Sequence, residues 1–332
     1  MSLIDRKFEM ETLVNGTNSN IKQRRLENPY PWTCIVQARR IGHSVLETPD
    51  LGRQLDYYTD LLGFSLVDRQ RKDAFLASRS GQLAIHIRQG DAAHCSALSF
   101  EVAPDTDFTA VARDLKNAGV DSDLASDPAP GISGSLTLLD PKGTRIELFK
   151  SWDAVGDLSR VTGVAPLKMG HIAFSVPEIH KVVDFYKQVL GFRESDWIED
   201  YFAFLRCNKD HHTVNFLKGR TGRMHHIAFE LLDASHIMRA ADLLGQNRIK
   251  VIWGPGRHSV GHNLFLYHRD PDDHIIEFYA ELDQMADEAL GYFEARPWHF
   301  EKPQWPRVWL QEESMTWGLP PLPDFRRQRE QG

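Results

Sequence analysis

The sequence predicts an α+β protein built from four βαβββ modules in two tandem domains. Three observations predict it. The chain carries a two-copy internal repeat: Gly42-His43 recurs as Gly170-His171, Asp56-Tyr57-Tyr58 as Asp184-Phe185-Tyr186, and Leu61-Leu62-Gly63-Phe64 as Val189-Leu190-Gly191-Phe192, each 128 residues on. Later blocks follow at nearly the same spacing, Leu98-Ser99-Phe100-Glu101 with Ile227-Ala228-Phe229-Glu230, and Asp140-Pro141 before Glu147 with Asp270-Pro271 before Glu277. A repeat this regular marks duplication of a structural unit. Within each copy a strand, a helix and three strands are read twice, from near residues 41, 97, 170 and 226. A length of 332 residues fits about two domains.

Composition narrows the class. Hydrophobic residues at 42% and charged residues at 26% suit a globular chain with a core. The net charge is -7 and no long basic run occurs, which argues against nucleic acid as a partner. No apolar stretch approaches the ~20 residues of a membrane span, and the start, Met1-Ser2-Leu3-Ile4-Asp5-Arg6, lacks an apolar signal core. The cysteines, Cys34, Cys95 and Cys207, are scattered and odd in number. That pattern suits a reducing compartment, so a cytoplasmic protein is expected.

In chain order, residues 1–37 are polar and irregular, and read as an extension that wraps onto another surface or trails as a tail. The N-terminal domain follows over 38–152. Ile41 to Val45 reads as a strand, and Leu51 to Leu62 has helical spacing that stops at Gly63. Short apolar strands are expected at Phe64–Val67, Ala74–Ala77, Leu83–Ile87 and Ala97–Val102. A helix near 107–118 ends at Gly119, and a hairpin around Asp140-Pro141-Lys142-Gly143 completes the copy. The C-terminal domain, 169–280, repeats that plan. The tail, 281–332, is expected to begin as a helix to about Phe293 and then turns rich in Pro and Trp. Its Trp298, Trp305, Trp309 and Trp317 are aromatic surface that must be buried, either over a site in the second half or at a subunit contact of a homo-oligomer.

Three strands of the second half each carry one metal-ligand type: Gly170-His171-Ile172-Ala173-Phe174-Ser175, His225-His226-Ile227-Ala228-Phe229-Glu230 and His274-Ile275-Ile276-Glu277-Phe278-Tyr279. Side chains alternate faces along a strand. His171, His226 and Glu277 therefore each oppose large apolar neighbours that want a core. If the strands share a sheet, two imidazoles and one carboxylate converge, the arrangement of non-haem Fe(II) oxygenases. Parity cannot choose between His225 and His226. The first half keeps His43 and Glu147 but has Ala97 where the second has His226, so it is expected to be scaffold.

The string Gly256-Arg257-His258, then Asn263-Leu264-Phe265-Leu266-Tyr267, then Asp270-Pro271-Asp272-Asp273-His274-Ile275-Ile276-Glu277 resembles the signature of the type I extradiol ring-cleaving dioxygenases of the vicinal oxygen chelate superfamily. The resemblance covers about 38–281 and is nearest the homoprotocatechuate and catechol 2,3-dioxygenase branch. It implies two tandem vicinal-oxygen-chelate domains, each a curved mixed sheet around a cavity, with only the C-terminal cavity active. It implies Fe(II), with Mn(II) as the alternative, held by His171, His226 and Glu277. It selects the second histidine of the pair and leaves His225 facing away or bordering the substrate pocket. It also implies His212 as acid and base, and His258 and Tyr267 as hydrogen-bonding groups toward a catechol. A residue that titrates near neutrality suits proton transfer. The expected reaction is insertion of both atoms of O2 beside the two hydroxyls of a catechol-type substrate.

Two departures bear on the substrate. Trp253 stands where the homoprotocatechuate branch has an arginine for the substrate carboxylate, and Ala173 where it has an asparagine. These point to an apolar ring substituent, with Ala173, Phe204 and Trp253 as pocket walls; Arg296 or Arg307 of the tail remains as a source of positive charge. Three rivals are a 4-hydroxyphenylpyruvate-dioxygenase-like enzyme, a hydroquinone-cleaving oxygenase and a metal-free binding protein of the same superfamily. The His212, His258 and Tyr267 set favours catechol cleavage over the first.

Overall fold

The structure, a computed structural model, describes residues 34–156 and 162–325. The extension expected over 1–37 thus lies outside the described residues up to residue 33. Its last residues dock onto the second half: the backbone N–H groups of Ile35, Val36 and Ala38 donate to the carbonyls of Gln188, Val189 and Leu190.

The first domain runs β1 (Arg40–Thr48), α1 (Leu51–Asp56), β2 (Ser65–Arg69), β3 (Asp73–Ala77), β4 (Leu83–Gln89), β5 (His94–Glu101), α2 (Phe108–Asn117), β6 (Ser122–Ala129), β7 (Ile132–Leu139) and β8 (Arg145–Phe149). The second runs β9 (Lys168–Val176), α3 (Ile179–Gln188), β10 (Arg193–Ile198), β11 (Phe202–Arg206), β12 (Val214–Lys218), β13 (Arg223–Glu230), α4 (Ala234–Gln246), β14 (Trp253–His258), β15 (Leu264–Arg269) and β16 (Ile275–Ala280). Four βαβββ modules are therefore present. The first sheet has the order β2-β3-β4-β1-β5-β8-β7-β6, and the second repeats it as β10-β11-β12-β9-β13-β16-β15-β14. In each, two modules join through their first strands, β1 with β5 and β9 with β13, paired antiparallel.

Local chemistry explains the helices. Asp50, Asp107 and Asp233 cap α1, α2 and α4 by accepting backbone N–H groups of the first turn. The expected helix to Leu62 changes at Tyr57 to a wider π turn over Tyr57–Leu61. That turn buries Tyr57, Tyr58 and Leu61 together, where an α-helical turn would spread them around the axis. Gly42 and Gly170 occupy matching crowded positions. A Cβ on Gly170 would collide with the Tyr279 hydroxyl, and one on Gly42 with Ser99 and Phe149.

The domains are fastened by exchanged hairpin turns. Asp140, in the β7–β8 turn, accepts from the Tyr186 hydroxyl of α3 at 3.0 Å. In return, Gln54 of α1 donates to Asp270 of the β15–β16 turn at 2.8 Å, and Tyr57 meets His268 at 2.6 Å. One hydrophobic core runs through both halves, including Leu46, Leu98 and Phe100 from the first and Phe174, Ile227 and Phe278 from the second.

One strand was not located from the sequence, and one expectation needs revising. β6 reads Ser-Asp-Leu-Ala-Ser-Asp-Pro-Ala, a mostly exposed edge strand whose polar sequence carries no alternation signal. The tail does not begin as a helix: β17 (Met285–Asp287) and β18 (Tyr292–Phe293) form a hairpin. Its turn is set by the Asp287 side chain, which accepts from the N–H groups of Ala289 and Leu290, and by Gly291 at φ +67. The tail then adds β19 (Arg307–Trp309) beside β10 and β20 (Met315–Trp317) beside β14, covering both edges of the second sheet.

Candidate metal centre

The centre is built across the middle of the second sheet. His171 on β9, Ala228 on β13 and Glu277 on β16 are cross-strand neighbours, His171 opposite Ala228 and Ala228 opposite Glu277. They therefore point to one face, and the small Ala228 leaves space between the two larger groups. His226, two residues along β13, joins that face. The register of β13 shifts between Met224 and His226, so His225 sits in a bulge. This is what parity could not decide: the bulge breaks the alternation and lets both imidazoles face inward.

His171 Nε2 lies 3.0 Å and His226 Nε2 3.3 Å from the same carboxylate oxygen of Glu277, with all three residues buried. Metal–ligand bonds of about 2.1 Å at right angles separate neighbouring ligand atoms by about 3.0 Å. The two spacings to Glu277 thus fit neighbouring ligands of one ion, and all three ligand atoms lie within 4.8 Å of one another. His226 Nε2 is buried without a hydrogen-bond partner, an expensive state unless a ligand satisfies it. Burial, then the neighbouring His225 and His171, hold His226 well below the usual imidazole value, in the neutral form a metal requires. Asn263 donates to the other oxygen of Glu277 at 3.0 Å and fixes the carboxylate. The His226 Nδ1 meets His225 Nδ1 at 2.7 Å. The donor set suits Fe(II) or Mn(II). A second buried group, His262, Asp283 and His299, is satisfied internally, since Asp283 accepts from His262 at 2.7 Å and from His299 at 2.8 Å.

Around the three ligands a cavity of about 590 Å³ opens. His212 stands beside His171, ring centroids 4.3 Å apart. Burial and the adjacent His171 and His211 hold it well below the usual imidazole value. Tyr267 on β15 pairs with Glu277 on β16, and its hydroxyl meets His258 Nε2 at 3.1 Å. Burial pushes the Tyr267 phenol well up, with the Glu277 charge adding to it, so it stays a proton donor. Burial lowers His258 to about 4, opposed by the Glu277 charge. His225 borders this cavity and a second one between the domains.

Phe204 and Trp253 line the cavity as expected, and Trp253 stacks on Tyr267 at 5.3 Å and 15°. Ala173 does not. It is wholly buried in β9, and the wall at that level is Asn215, its cross-strand neighbour on β12. Arg307 is tied to Glu301 at 2.5 Å and Arg296 to Glu294 at 2.8 Å, and neither reaches the cavity. Among the described residues lining it there is no lysine or arginine. The tail supplies Gln311, Ser314, Met315, Pro320, Pro321 and Phe325 to the mouth. Sequence reasoning missed these, together with Asn215, Tyr201 and Phe202. Only Asn263 had a signal: it lies inside the quoted signature and shares parity with Tyr267.

The corresponding positions of the first half lack the third ligand type. His43 Nε2 lies 3.3 Å from Glu147, Ala97 holds the third position, and Arg145 salt-bridges Glu147 at 2.9 Å. Ser99 meets His43 Nδ1 at 2.8 Å.

Comparison with known proteins agrees with this plan. The sequence profile of the Glyoxalase/Bleomycin resistance protein/Dioxygenase superfamily matches residues 40–148 and 168–278. Metapyrocatechase 2 of Cupriavidus necator is 25% identical over 264 residues, 73% of this chain and 81% of that protein. The manganese-dependent 2,3-dihydroxybiphenyl 1,2-dioxygenase of Geobacillus genomosp. 3 is 24% identical over 270 residues, 74% of this chain and 86% of its own. The solved homoprotocatechuate 2,3-dioxygenase of Brevibacterium fuscum superposes with a TM-score of 0.75 at 24% identity, covering 91% of this chain and 95% of that one. The Mn(II)-bound glyoxalase of Novosphingobium aromaticivorans gives 0.76 at 24%, covering 87% and 94%, so both share the fold. With both repeat halves matched in sequence and two βαβββ domains in space, the chain belongs to the Glyoxalase/Bleomycin resistance protein/Dioxygenase superfamily.

Proposed function

We propose that the protein is an Fe(II)-dependent extradiol dioxygenase, with Mn(II) as the alternative ion, that opens a catechol-type ring beside its two hydroxyls with O2. The observation that carries the reading is the company the three ligands keep. His212, His258 and Tyr267 line the same cavity as His171, His226 and Glu277. An ion held by His171, His226 and Glu277 would supply the positive charge that favours an ionised catechol and the redox chemistry that activates O2. His212 takes the catechol proton and returns it later in the reaction. Tyr267 and His258, hydrogen-bonded to each other, hold the second hydroxyl oxygen in place. Ile198, Phe202, Phe204, Trp253, Val260 and Phe325 exclude water and accept an apolar ring substituent. His225 is itself part of the cavity wall, whereas the buried Ala173 stands behind it. Two of the relatives bear names of catechol-cleaving enzymes, in line with this reading.

The 4-hydroxyphenylpyruvate-like alternative leaves the Tyr267–His258 pair without an obvious task, and a metal-free binding role leaves His226 Nε2 unsatisfied. The proposal includes a cytoplasmic location, supported by the three free thiols, and self-association, which sedimentation tests. Among the described residues no helix is long and apolar enough to cross a membrane. The direct test is anaerobic loading with Fe(II), addition of a panel of catechols, and admission of O2. A yellow semialdehyde product with one O2 consumed per ring is expected. Metal-loaded protein that consumes no O2 with any catechol ends the proposal.

A further inference from the structure

We infer that Asn215 is a specificity-determining residue of the cavity: its amide takes a neutral hydrogen-bonding group carried by the catechol ring, of which a further hydroxyl is the simplest. The inference deepens the reading of the cavity as a catechol site and rests on it.

Asn215 faces the cavity from β12, a strand whose other side belongs to the core. Val214 and Phe216, its neighbours in the chain, are wholly buried in that core, so alternation turns Asn215 the other way. Across the sheet the row reads Phe204 on β11, Asn215, Ala173 on β9 and His226 on β13. Members of such a row share a face. Ala173, with only a methyl, lies between the amide and a candidate metal ligand. The amide therefore belongs to the inner part of the cavity, not to the mouth where the tail stands. Asn215 is 1% exposed, and its Oδ1 is buried with no hydrogen-bond partner. A polar atom in that state has lost its hydration and gained nothing in return. An apolar side chain would pack against Phe204 and Ala173 without that cost. The amide is explained by something that enters the cavity.

The duplicated half supplies the comparison. There the corresponding row is Phe75 on β3, His86 on β4 and Val45 on β1. The polar residue recurs, but His86 is satisfied within the chain. Asp73 lies 2.6 Å from its Nε2, and Phe75 stacks on its ring at 4.2 Å. Asp73 stands opposite Arg88, and the matching position in the second half, opposite Leu217, is Phe202. Phe202 lines the cavity and offers no hydrogen bond. The first half thus provides a partner for the polar side chain of this strand. The second half puts an aromatic ring in the partner's place and leaves the amide to a ligand.

The chemistry of that ligand group follows. An amide both donates and accepts, and carries no charge. No lysine or arginine lines the described cavity to pair with an anion. His212, Tyr267 and His258 are occupied with the two ring hydroxyls of a catechol. What remains for Asn215 is a neutral group close to the ring that can donate to Oδ1, as a third hydroxyl does. The apolar walls take whatever extends beyond it.

The test uses pairs of probes that differ only in that group: pyrogallol against 3-methylcatechol, and 1,2,4-benzenetriol against 4-methylcatechol. The hydroxyl-to-methyl ratio of kcat/KM is measured for the unaltered protein, Asn215→Leu and Asn215→Ala. Comparing the ratio between proteins cancels the different reactivities of the rings. In at least one pair it should fall about tenfold in both variants, the worth of one neutral hydrogen bond. Anaerobic calorimetric titration of the Zn(II)-loaded protein with the same four compounds reads the ratio in Kd, without turnover, and should show the same fall. Asn215→Leu should keep or raise Tm, because it removes a buried amide that has no partner. A lowered Tm with an unchanged ratio assigns Asn215 to the packing of the sheet and overturns the inference. So does an unchanged ratio in both pairs, even if catechol cleavage is established. A ratio that falls in Kd, in a protein that consumes no O2 with any catechol, would instead uphold the role of the amide and remove the functional reading.

Discussion

The cavity makes a graded prediction about substrate. Its described walls hold no lysine or arginine, and Ile198, Phe202, Trp253, Val260, Met315 and Phe325 give it an apolar lining. Burying one methylene against such walls is worth about 0.8 kcal/mol, or about fourfold in kcat/KM. Lengthening a 4-alkyl chain on catechol from methyl to butyl adds three methylenes, so kcat/KM should climb about 60-fold while the chain fits. A cavity of about 590 Å³ has room for it. A carboxylate at the same reach finds no cation and loses its water. That desolvation costs several kcal/mol, so a carboxymethyl catechol should be at least about 100-fold poorer than its ethyl counterpart. Initial rates by O2 electrode and by absorbance of the yellow product give the ratios. If the carboxylated catechol matches or exceeds the ethyl one, the reasoning from the wall composition is wrong. Trp253→Arg should narrow the gap, because it places a guanidinium where the indole now stacks on Tyr267.

Three further outcomes are expected. Glu277→Ala should weaken iron binding by at least about 100-fold and Asn263→Ala by about 10–100-fold; metal analysis after dialysis checks both, and full iron in Glu277→Ala would sink the ligand assignment. His268 is wholly buried against Tyr57 of the other domain, and burial lowers it from 6.5 to about 3, with Asp270 opposing. Because the folded value lies below the unfolded one, His268 makes no difference above 6.5, and stability falls as the pH drops from there toward about 3. The full loss is about 5 kcal/mol. Urea midpoints of His268→Gln should show a flatter acid limb; an unchanged limb contradicts the linkage. Phe325→Ala opens the mouth beside Trp253 and Tyr267, at 4.8 and 5.2 Å. It should raise KM for alkyl catechols about tenfold with a smaller effect on kcat, and the reverse pattern would place Phe325 in the chemistry instead.

Much was written in the residue order. Duplication is visible because Gly42 and Gly170 tolerate no side chain and because Asp140 and Asp270 build the same turn twice. The candidate metal ligands are legible because each stands on a strand whose other face is apolar, and parity is a local property. The helix expected after residue 281 failed because Asp287 and Gly291 impose a turn whose energy outweighs helical spacing. β6 was hidden because an exposed edge strand has no buried face to write a pattern.

The sequence by itself determined the duplicated architecture and which residues of the second half are candidate ligands, since these depend on spacing and alternation along the chain. Only the tertiary structure decided which histidine of the 225–226 pair turns to Glu277, that Asn215 rather than Ala173 forms the wall, and that Trp309 reaches Asp196. Each of these depends on a bulge, a cross-strand neighbour or a contact between distant residues, and such contacts leave no periodicity in the order of residues to be read.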